Sequence, residues 1–315
     1  MRYLVVGAGA LGGYFGGRLL EASQDVTFLL RPGRARALAT TGLIVKSRFG
    51  DLALPSPPFV FVLADGITGP FDVVIVGCKA YDLAETMASF APAVGPDTAI
   101  LPLLNGLRHL DDLKDRFGVE HVLGALCMIS ATLDAAGVIH HLNDLHSLVF
   151  GELDGTASER VEKIRGDFST AKFDSRSTTQ ILQEMWEKWV FIASAAGATC
   201  LMRASIGDIV AAGAADLNLR IVEECCAIAA ANGFAPRAPS IDRIRSAITA
   251  AGSPMSASML KDIERGAAVE ADHVLGDLLM RSKQDPQPLS VLRVAYLHLK
   301  AYEARRAGST GALAR

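Results

Sequence analysis

The chain has few cysteines, and their arrangement argues against two kinds of site. Five cysteines occur in 315 residues, without a C-x-x-C pair or a mixed cluster with histidines. Zinc sites and disulfide frameworks both show such spacings. We therefore expect buried thiols from a reducing compartment, and no metal site, at Cys78, Cys127, Cys200, Cys225 and Cys226.

An excess of charge of one sign is also lacking. The chain contains 31 basic and 34 acidic residues, which gives a net charge of −3, and it has no basic block. This balance argues against a nucleic-acid partner. The longest apolar run, Trp189 to Met202, is shorter than a bilayer span requires, and the N-terminus lacks the charged region of a leader. We expect a cytoplasmic protein without a membrane partner.

What the chain does contain is a glycine-rich turn near its N-terminus. A short apolar run, Arg2 to Val6, leads directly into Gly7-Ala8-Gly9-Ala10-Leu11-Gly12, which has the spacing G-x-G-x-x-G. A predicted helix from Tyr14 to Ala22 and a second strand from Asp25 to Leu30 complete a βαβ unit of about 30 residues. This context predicts a bound dinucleotide, and the alternative is a tight turn that binds nothing.

Each position of this turn has a mechanical role. Gly7 would allow the tight turn, Gly9 would let the backbone approach a pyrophosphate, and Gly12 would let the helix lie close to the strand. The helix N-terminus, with Ala10 and Leu11, would then face the phosphates with free N–H groups.

The end of the second strand indicates which dinucleotide binds. NAD sites usually place a carboxylate there, whereas the 2′-phosphate of NADP needs an arginine. This chain has no carboxylate from Phe28 to Arg36, and Arg31 follows the strand directly. The sequence therefore favours NADP. For Arg34 and Arg36, which follow closely, a solvated helix start is the alternative, and we do not expect both to take part in the site.

Two further predicted strands end in polar side chains. Lys79 follows the apolar strand Asp72 to Gly77, and Asn105 follows Thr98 to Leu101. Ligands of open α/β sheets bind beyond the carboxyl ends of the strands. Lys79 and Asn105 are therefore candidates for cofactor or substrate contacts, with a solvated lysine and an Asn-Gly turn as the alternatives.

The stretch from Gly137 to Gly151 alternates and predicts an antiparallel hairpin. Its histidines, His140, His141 and His146, have no carboxylate at metal-ligand spacing, so we interpret them as structural.

From about Thr178 onward, long alanine-rich helices replace the strands. This change predicts an α/β fold in which a Rossmann-like dinucleotide-binding domain, residues 1–176, precedes an all-helical domain, residues 177–315. These helices could pack within one chain or across a homodimer. Lys188 lies on an apolar stripe of the first long helix, where a snorkelling stem is the alternative to a functional role. Glu270 opens a later helix, where a helix-dipole partner is the alternative.

Several motifs together resemble one family, the ketopantoate reductases (2-dehydropantoate 2-reductases). The matching segments follow the family's order over nearly the whole chain, and the W-x-K and S-M-L-x-D…E-x-D spacings are far more specific than the glycine turn. The matching segments are Gly7 to Gly12, Arg31, Cys78-Lys79-Ala80, Leu104-Asn105-Gly106, Trp186-Glu187-Lys188, Ser258 to Asp262, Val269 to Asp272, and Gly276.

The resemblance implies NADPH-dependent reduction of a 2-oxo acid to a 2-hydroxy acid, in pantothenate biosynthesis, at a cleft between two domains. Lys188 would be the catalytic lysine and proton donor, and Glu270 a carboxylate that contacts substrate and lysine. Ser258 would hydrogen-bond the substrate, while Lys79 and Asn105 would be cleft residues. An ammonium suits this chemistry because it stabilises the charge that hydride transfer leaves on the carbonyl oxygen.

The chain departs from the family at three positions that usually hold asparagine. Ile192, Ala196 and Met255 stand there instead. Fewer amide groups favour a more apolar keto acid than ketopantoate. Two alternatives stay open: a non-catalytic NADP-binding sensor or scaffold, and a related dehydrogenase that oxidises another hydroxy acid.

Overall fold

The structure divides into two compact units. It is a computed structural model that describes residues 1–61, 67–282 and 290–313. One unit comprises Met1–Leu104 and His109–Leu182, and we call it the N-terminal unit. The other comprises Asn105–Arg108 and Gln183–Arg315, and we call it the helical unit.

Strands and helices alternate in the first half of the chain, and helices alone follow. The elements of the first half are β1 (Arg2–Val6), α1 (Ala10–Glu21), β2 (Asp25–Leu30), α2 (Pro32–Thr41), β3 (Leu43–Lys46), β4 (Leu52–Leu54), β5 (Phe59–Phe61), β6 (Val73–Val76), α3 (Leu83–Phe90), β7 (Ala99–Pro102), α4 (Arg108–Phe117), β8 (Leu123–Leu133), β9 (Val138–Glu152), α5 (Glu159–Phe168) and β10 (Asp174–Ser177). The second half has α6 (Ile181–Met202), α7 (Ile206–Ala211), α8 (Ala215–Ala231), α9 (Ala238–Ile248), α10 (Ser258–Glu264), a π-helical turn (Asp272–Gly276), α11 (Asp277–Met280) and α12 (Val291–Leu313). This order confirms the predicted fold class, a Rossmann-like domain followed by a helical one.

A five-stranded parallel sheet forms part of the core of the N-terminal unit. Its strand order is β5-β2-β1-β6-β7, and every pair in it is parallel. β6 is the apolar run Val73–Val76, and all four residues are buried. Parallel strands that are covered on both faces show such continuous apolar runs. The carboxyl ends of β1, β2 and β6 therefore lie side by side at one edge.

Helix α1 approaches its neighbours closely because one side of it is glycine. A Cβ on Gly16 would lie 2.8 Å from the Phe28 ring, and one on Gly13 would lie 2.4 Å from Ile139 Cδ1. Real Cβ atoms do not approach other atoms at these distances, so α1 needs glycine at both positions. The helix thereby packs against strands of both sheets in this unit.

The second sheet differs from its prediction. Its order is β10-β9-β3-β4, with β8 paired to β9. The predicted hairpin within residues 137–151 is wrong, because β9 is one continuous strand antiparallel to β8. A register shift between Ile129 and Ala131 interrupts the pairing, and there the Asn143 side chain accepts a hydrogen bond from the Ser130 N–H at 2.9 Å. The polar residues that suggested a turn therefore lie opposite a bulge.

The division between the units also differs from the predicted boundary at 176/177. It falls between residues 182 and 183. β10 spans the predicted boundary, and its pairing with β9 keeps it in the N-terminal unit. The Ile181 side chain lies 2.8 Å from the position of a Cβ on Gly124, so the start of α6 also packs on this unit.

Local signals define the helices of the second unit. Ser205 and Asp208 form a capping box at the start of α7. The partly buried Glu224 carboxylate of α8 accepts hydrogen bonds from the Val291 and Leu292 N–H groups, at 3.2 and 2.9 Å, and so caps α12. Among the described residues, no helix is both long enough and apolar enough to cross a membrane.

Candidate functional site

The glycine-rich turn has the geometry that its sequence predicts. Gly7 has a φ of +88° and donates its N–H to the Leu29 carbonyl at 3.0 Å, which fixes the end of β1 beside β2. A Cβ on Gly12 would lie 2.1 Å from the Gly7 carbonyl oxygen. A Cβ on Gly9, in contrast, would meet nothing within 4 Å. Gly12 is therefore required by the fold, whereas the space beside Gly9 is open for another group.

The start of α1 suits a pyrophosphate. Gly9 is the N-cap and has no side chain to bond the first N–H groups, and the first turn contains no acidic residue. These N–H groups, including those of Ala10 and Leu11, have no intrahelical acceptor. The positive end of the helix dipole lies at this same N-terminus of α1 and also favours an anion there. The residues present therefore fit the phosphates of a dinucleotide.

Arg31 lies directly after β2, as the cofactor prediction requires. It is the N-cap of α2, and its side chain is 49% exposed. Its Nη1 lies 3.3 Å from Asp82 Oδ2, and its Nη2 lies 3.0 Å from Glu85 Oε2. The guanidinium thus already has two carboxylate neighbours, neither of which the strand-end pattern identified.

Arg34 does not fit the alternative of a solvated helix start. It is half-buried, its Nε donates to the Ala8 carbonyl at 2.8 Å, and its Nη1 donates to the Gly137 carbonyl at 3.2 Å. Burial lowers the pKa of its guanidinium from the ordinary value. Arg34 therefore braces the glycine-rich turn from α2. Arg36, by comparison, is exposed as expected.

Lys79 belongs to the same edge of the parallel sheet. It is the N-cap of a 3-10 turn, Ala80–Asp82, that follows β6. The preceding Gly77 donates its N–H to the Val6 carbonyl at 3.0 Å, and a Cβ on Gly77 would lie 3.1 Å from the Gly12 Cα. The loop that carries Lys79 is therefore packed against the glycine-rich turn.

Lys188 and Asn105 meet within the helical unit. The Lys188 Nζ donates a hydrogen bond to Asn105 Oδ1 at 3.1 Å, and both side chains are partly buried. Asn105 stands in the short segment Asn105–Arg108, which belongs to the helical unit although it follows β7 in sequence. The structure therefore pairs Asn105 with Lys188, while Lys79 lies in the other compact unit.

The segment after Glu270 packs beside this pair. The Trp189 indole N–H donates to the Val274 carbonyl at 2.8 Å, and a Cβ on Gly106 would lie 2.9 Å from the His273 carbonyl oxygen. Gly106 also has a φ of +75°, a conformation that favours glycine. The Glu270 carbonyl accepts a hydrogen bond from the Val274 N–H at 3.0 Å. Glu270 therefore begins the turn that contacts Trp189 and Gly106, the residues next to Lys188 and Asn105 in sequence.

Charge stabilises the same turn from its outer side. Asp272 accepts hydrogen bonds from Tyr296 Oη at 2.6 Å and Lys300 Nζ at 2.9 Å. Burial acts to raise the pKa of Asp272, but these hydrogen bonds and the positive charge of Arg108 hold it below its ordinary value. Asp272 is therefore a carboxylate at neutral pH and ties the turn to α12.

Ser258 is the exposed first residue of α10, and Thr199 of α6 holds the start of that helix. The Thr199 hydroxyl accepts from the Ala257 N–H at 3.2 Å and donates to the Ala195 carbonyl at 2.7 Å. Thr199 is fully buried. Sequence reasoning missed this residue, because a threonine within an apolar helix gives no signal of a remote partner.

The histidines of the N-terminal unit form a separate aromatic cluster. His146 Nδ1 is 2.8 Å from the Tyr14 hydroxyl, and His141 Nδ1 is 2.9 Å from Ser47 Oγ. The Phe49 ring stacks on His146 with centroids 3.9 Å apart. Within residues 1–61, 67–282 and 290–313, no group of three or more His, Cys, Asp or Glu side chains is arranged to hold a metal ion.

Two of the buried cysteines, Cys200 and Cys225, do not supply a nucleophile. Burial raises the pKa of both Cys200 and Cys225 to about 12. A thiol with such a pKa is protonated at neutral pH and unreactive.

Two family models cover most of the chain. The model described as ketopantoate reductase PanE/ApbA matches residues 3–155, and the model of the PanE/ApbA C terminus matches residues 180–303. The chain belongs to the ketopantoate reductase family.

Relatives and solved structures agree with this assignment. The chain is 37% identical to the uncharacterized oxidoreductase YkpB of Bacillus subtilis (strain 168), over 97% of this chain and 100% of the relative. It is 29% identical to a crystal structure of 2-dehydropantoate 2-reductase from Geobacter metallireducens GS-15, with a TM-score of 0.86 over 96% of this chain and 99% of that one. A D-mandelate dehydrogenase solved with NADH and anilino(oxo)acetate is 19% identical with a TM-score of 0.86 over 98% and 100%, which shows a shared fold.

As a ketopantoate reductase family member, the protein is an oxidoreductase that acts on CH–OH groups. The family binds a nicotinamide dinucleotide, and the glycine-rich turn has the shape for one. The family models match both stretches that contain the candidate residues, because Lys79 and Asn105 lie within 3–155 and Lys188, Ser258 and Glu270 within 180–303.

Proposed function

We propose that the protein reduces a 2-oxo acid to a 2-hydroxy acid with NADPH, as in the conversion of 2-dehydropantoate to pantoate in pantothenate biosynthesis. The observation that supports this most is the 3.1 Å hydrogen bond between Lys188 and Asn105, beside the turn that Glu270 opens. A general acid needs a fixed position relative to the oxygen that it protonates. The Asn105 amide provides such a restraint.

The roles of the residues follow from their chemistry. When bound, NADPH supplies the hydride. The Lys188 ammonium stabilises the charge that develops on the substrate carbonyl oxygen and then donates its proton there. Glu270 contacts substrate and lysine, and Ser258 donates to the substrate. Lys79 adds a cation near the glycine-rich turn, where cofactor and substrate both carry negative charge.

The preference for NADP is supported by Arg31. A guanidinium binds phosphate through two parallel N–H donors. The segment that follows β2 in sequence, up to Arg36, contains no carboxylate of the kind that NAD sites place there. The glycine turn contributes Gly7, Gly9, Ala10, Leu11 and Gly12 to the same cofactor.

A panel assay tests the proposal. Loss of NADPH absorbance is followed with ketopantoate and with 2-oxo acids that carry alkyl or aryl chains, and Lys188→Ala is the inactive control. The proposed function is supported if the wild type turns over a 2-oxo acid and the Lys188→Ala variant does not. Tight NADPH binding without turnover of any 2-oxo acid would instead support the alternative of a non-catalytic sensor or scaffold.

A second candidate substrate is a more apolar keto acid, and three side chains favour it. Ile192 and Ala196 follow Lys188 by one and two turns of α6, and Met255 precedes α10. None of them can hydrogen-bond a hydroxylated substrate through its side chain. Higher kcat/KM for alkyl or aryl 2-oxo acids than for ketopantoate would support this candidate, and the reverse order would exclude it. Oxidation of the matching hydroxy acids with NADP tests the opposite direction.

The cellular setting stays a prediction. We propose a cytoplasmic enzyme, and a homodimer can be tested by measuring the mass in solution.

A further inference from the structure

Three charged side chains form an ion triad at the end of β2. Arg31 Nη1 lies 3.3 Å from Asp82 Oδ2, and Arg31 Nη2 lies 3.0 Å from Glu85 Oε2. The exposed fractions of these side chains are 49% for Arg31, 32% for Asp82 and 73% for Glu85. The two terminal nitrogens of the guanidinium, which bind phosphate best, thus both face carboxylates.

The backbone explains why these carboxylates stand there. Asp82 is the N-cap of α3, and Glu85 lies in the first turn of that helix. Acidic residues at a helix N-terminus are stabilised by the helix dipole. The backbone of α3 sets the positions of both residues, so both carboxylates stay near the guanidinium even when an anion displaces one of them from it.

A charge count shows what a 2′-phosphate would meet. The arginine and two carboxylates together carry a net charge of −1, and a phosphate monoester adds about −1.5 to −2 at neutral pH. The phosphate must displace at least one carboxylate from the guanidinium and then lie near both. A ribose hydroxyl carries no charge and meets no such opposition, and carboxylates accept hydrogen bonds from it.

We propose that Asp82 and Glu85 are specificity-determining residues that reduce the preference for NADPH over NADH by holding Arg31 in this triad. The inference rests on the proposed NADP site and deepens it. Exposed ion pairs contribute up to about 1 kcal/mol each, which corresponds to a factor of about five in affinity. Removal of one carboxylate should therefore tighten NADPH binding by about twofold to fivefold.

The experiment measures dissociation constants for NADPH and NADH by titration of the nicotinamide fluorescence. The variants are Asp82→Asn, Glu85→Gln and the double variant. Arg31→Ala is the reference for loss of the phosphate contact. Glu159→Gln is the matched control, because it makes the same charge change at a residue of α5 that is 94% exposed. Calorimetry with 2′,5′-ADP and 5′-AMP separates the phosphate contribution from that of the nicotinamide.

Each variant should lower the NADPH dissociation constant by about twofold to fivefold, and the NADH constant should stay unchanged. The control should change neither. Unchanged or weaker NADPH binding in both variants, or equal tightening of both dinucleotides, would overturn the inference. If the wild type binds NADPH but the variants bind it no more tightly, this inference is refuted and the cofactor proposal is not. Wild-type protein that binds neither dinucleotide would refute the cofactor proposal as well.

Discussion

Single residues in the glycine-rich turn have separable tasks. Gly12 lies so close to the Gly7 carbonyl that a Cβ would approach it to 2.1 Å, whereas a Cβ on Gly9 would meet no atom of the protein within 4 Å. Gly12 is therefore needed for the fold itself. Gly9 matters only when a ligand approaches the backbone.

Two alanine substitutions should distinguish these tasks. Gly9→Ala should keep the melting temperature of the wild type but lose dinucleotide affinity, because its methyl group fills the space of the pyrophosphate. Gly12→Ala should lower the free energy of unfolding by about 3 kcal/mol or more, because backbone atoms must move. Thermal unfolding and NADPH titration measure both effects. Equal losses of stability in the two variants would contradict this division.

Asn105 is predicted to act through Lys188. Asn105→Ala removes the hydrogen bond at 3.1 Å, and a hydrogen bond to a charged group contributes about 1.5 to 3 kcal/mol. We expect kcat to fall by about tenfold to a hundredfold, with little change in NADPH affinity. Asn143→Ala, which alters an asparagine at the β8 bulge, is the control for loss of an amide. A variant with the kcat of the wild type would show that the ammonium needs no such restraint.

Among the elements, α6 combines the candidate acid with a buried anchor. Glu187 precedes Lys188 and is 7% exposed, and its carboxylate accepts from Arg237 Nε at 2.7 Å and from the Arg237 N–H at 2.9 Å. Burial acts to raise the pKa of Glu187, but the hydrogen bonds from Arg237 and Gln183 outweigh it and lower that pKa from its ordinary value. The anchor joins α6 to the start of α9.

The Glu187 anchor should make stability depend on pH. A lowered folded-state pKa contributes stability that is complete above the ordinary value of 4.5 and is lost as the pH falls through the folded-state value. Glu187→Gln should therefore be less stable than wild type by about 1 to 2 kcal/mol near pH 7, with a difference that shrinks as the pH falls below 4.5 toward the lowered folded-state pKa. Urea unfolding can be followed by tryptophan fluorescence, because both tryptophans, Trp186 and Trp189, lie in α6.

The control for this series is Glu159→Gln on the exposed face of α5. A difference between wild type and Glu187→Gln that stays constant across the whole pH range would mean that the carboxylate charge is irrelevant to the anchor.

The features that could be predicted from the sequence are those that depend on residues close together in the chain. The turn at Gly7 to Gly12 depends on neighbouring residues only, and its geometry is confirmed. The hairpin predicted within residues 137–151 is wrong because the break in its alternation lies opposite the bulge of β8, where the Asn143 side chain accepts from the Ser130 N–H. The role of Arg34 stayed open in the sequence because its acceptor, the Ala8 carbonyl, lies 26 residues away.

At the scale of the whole molecule, one short segment belongs to a different compact unit from the residues on either side of it in the chain. Residues 105–108 follow a strand of the N-terminal unit but belong to the helical unit. The sequence pattern alone places Asn105 at a strand end like that of Lys79, because a linear sequence shows only where strands end. Its partner Lys188 is 83 residues away. Motif order indicated the family, but no periodicity in the sequence could have revealed this pairing.

The most direct test of the central claim follows a labelled hydride. The protein is incubated with NADPH that carries deuterium at the transferable C4 position and with the best 2-oxo acid of the panel, and the product is examined by mass spectrometry. The account predicts a 2-hydroxy acid with one deuterium at C2, formed by wild type and slowed by about a hundredfold or more in Lys188→Ala. A product without the label, or a Lys188→Ala variant as fast as wild type, would contradict it.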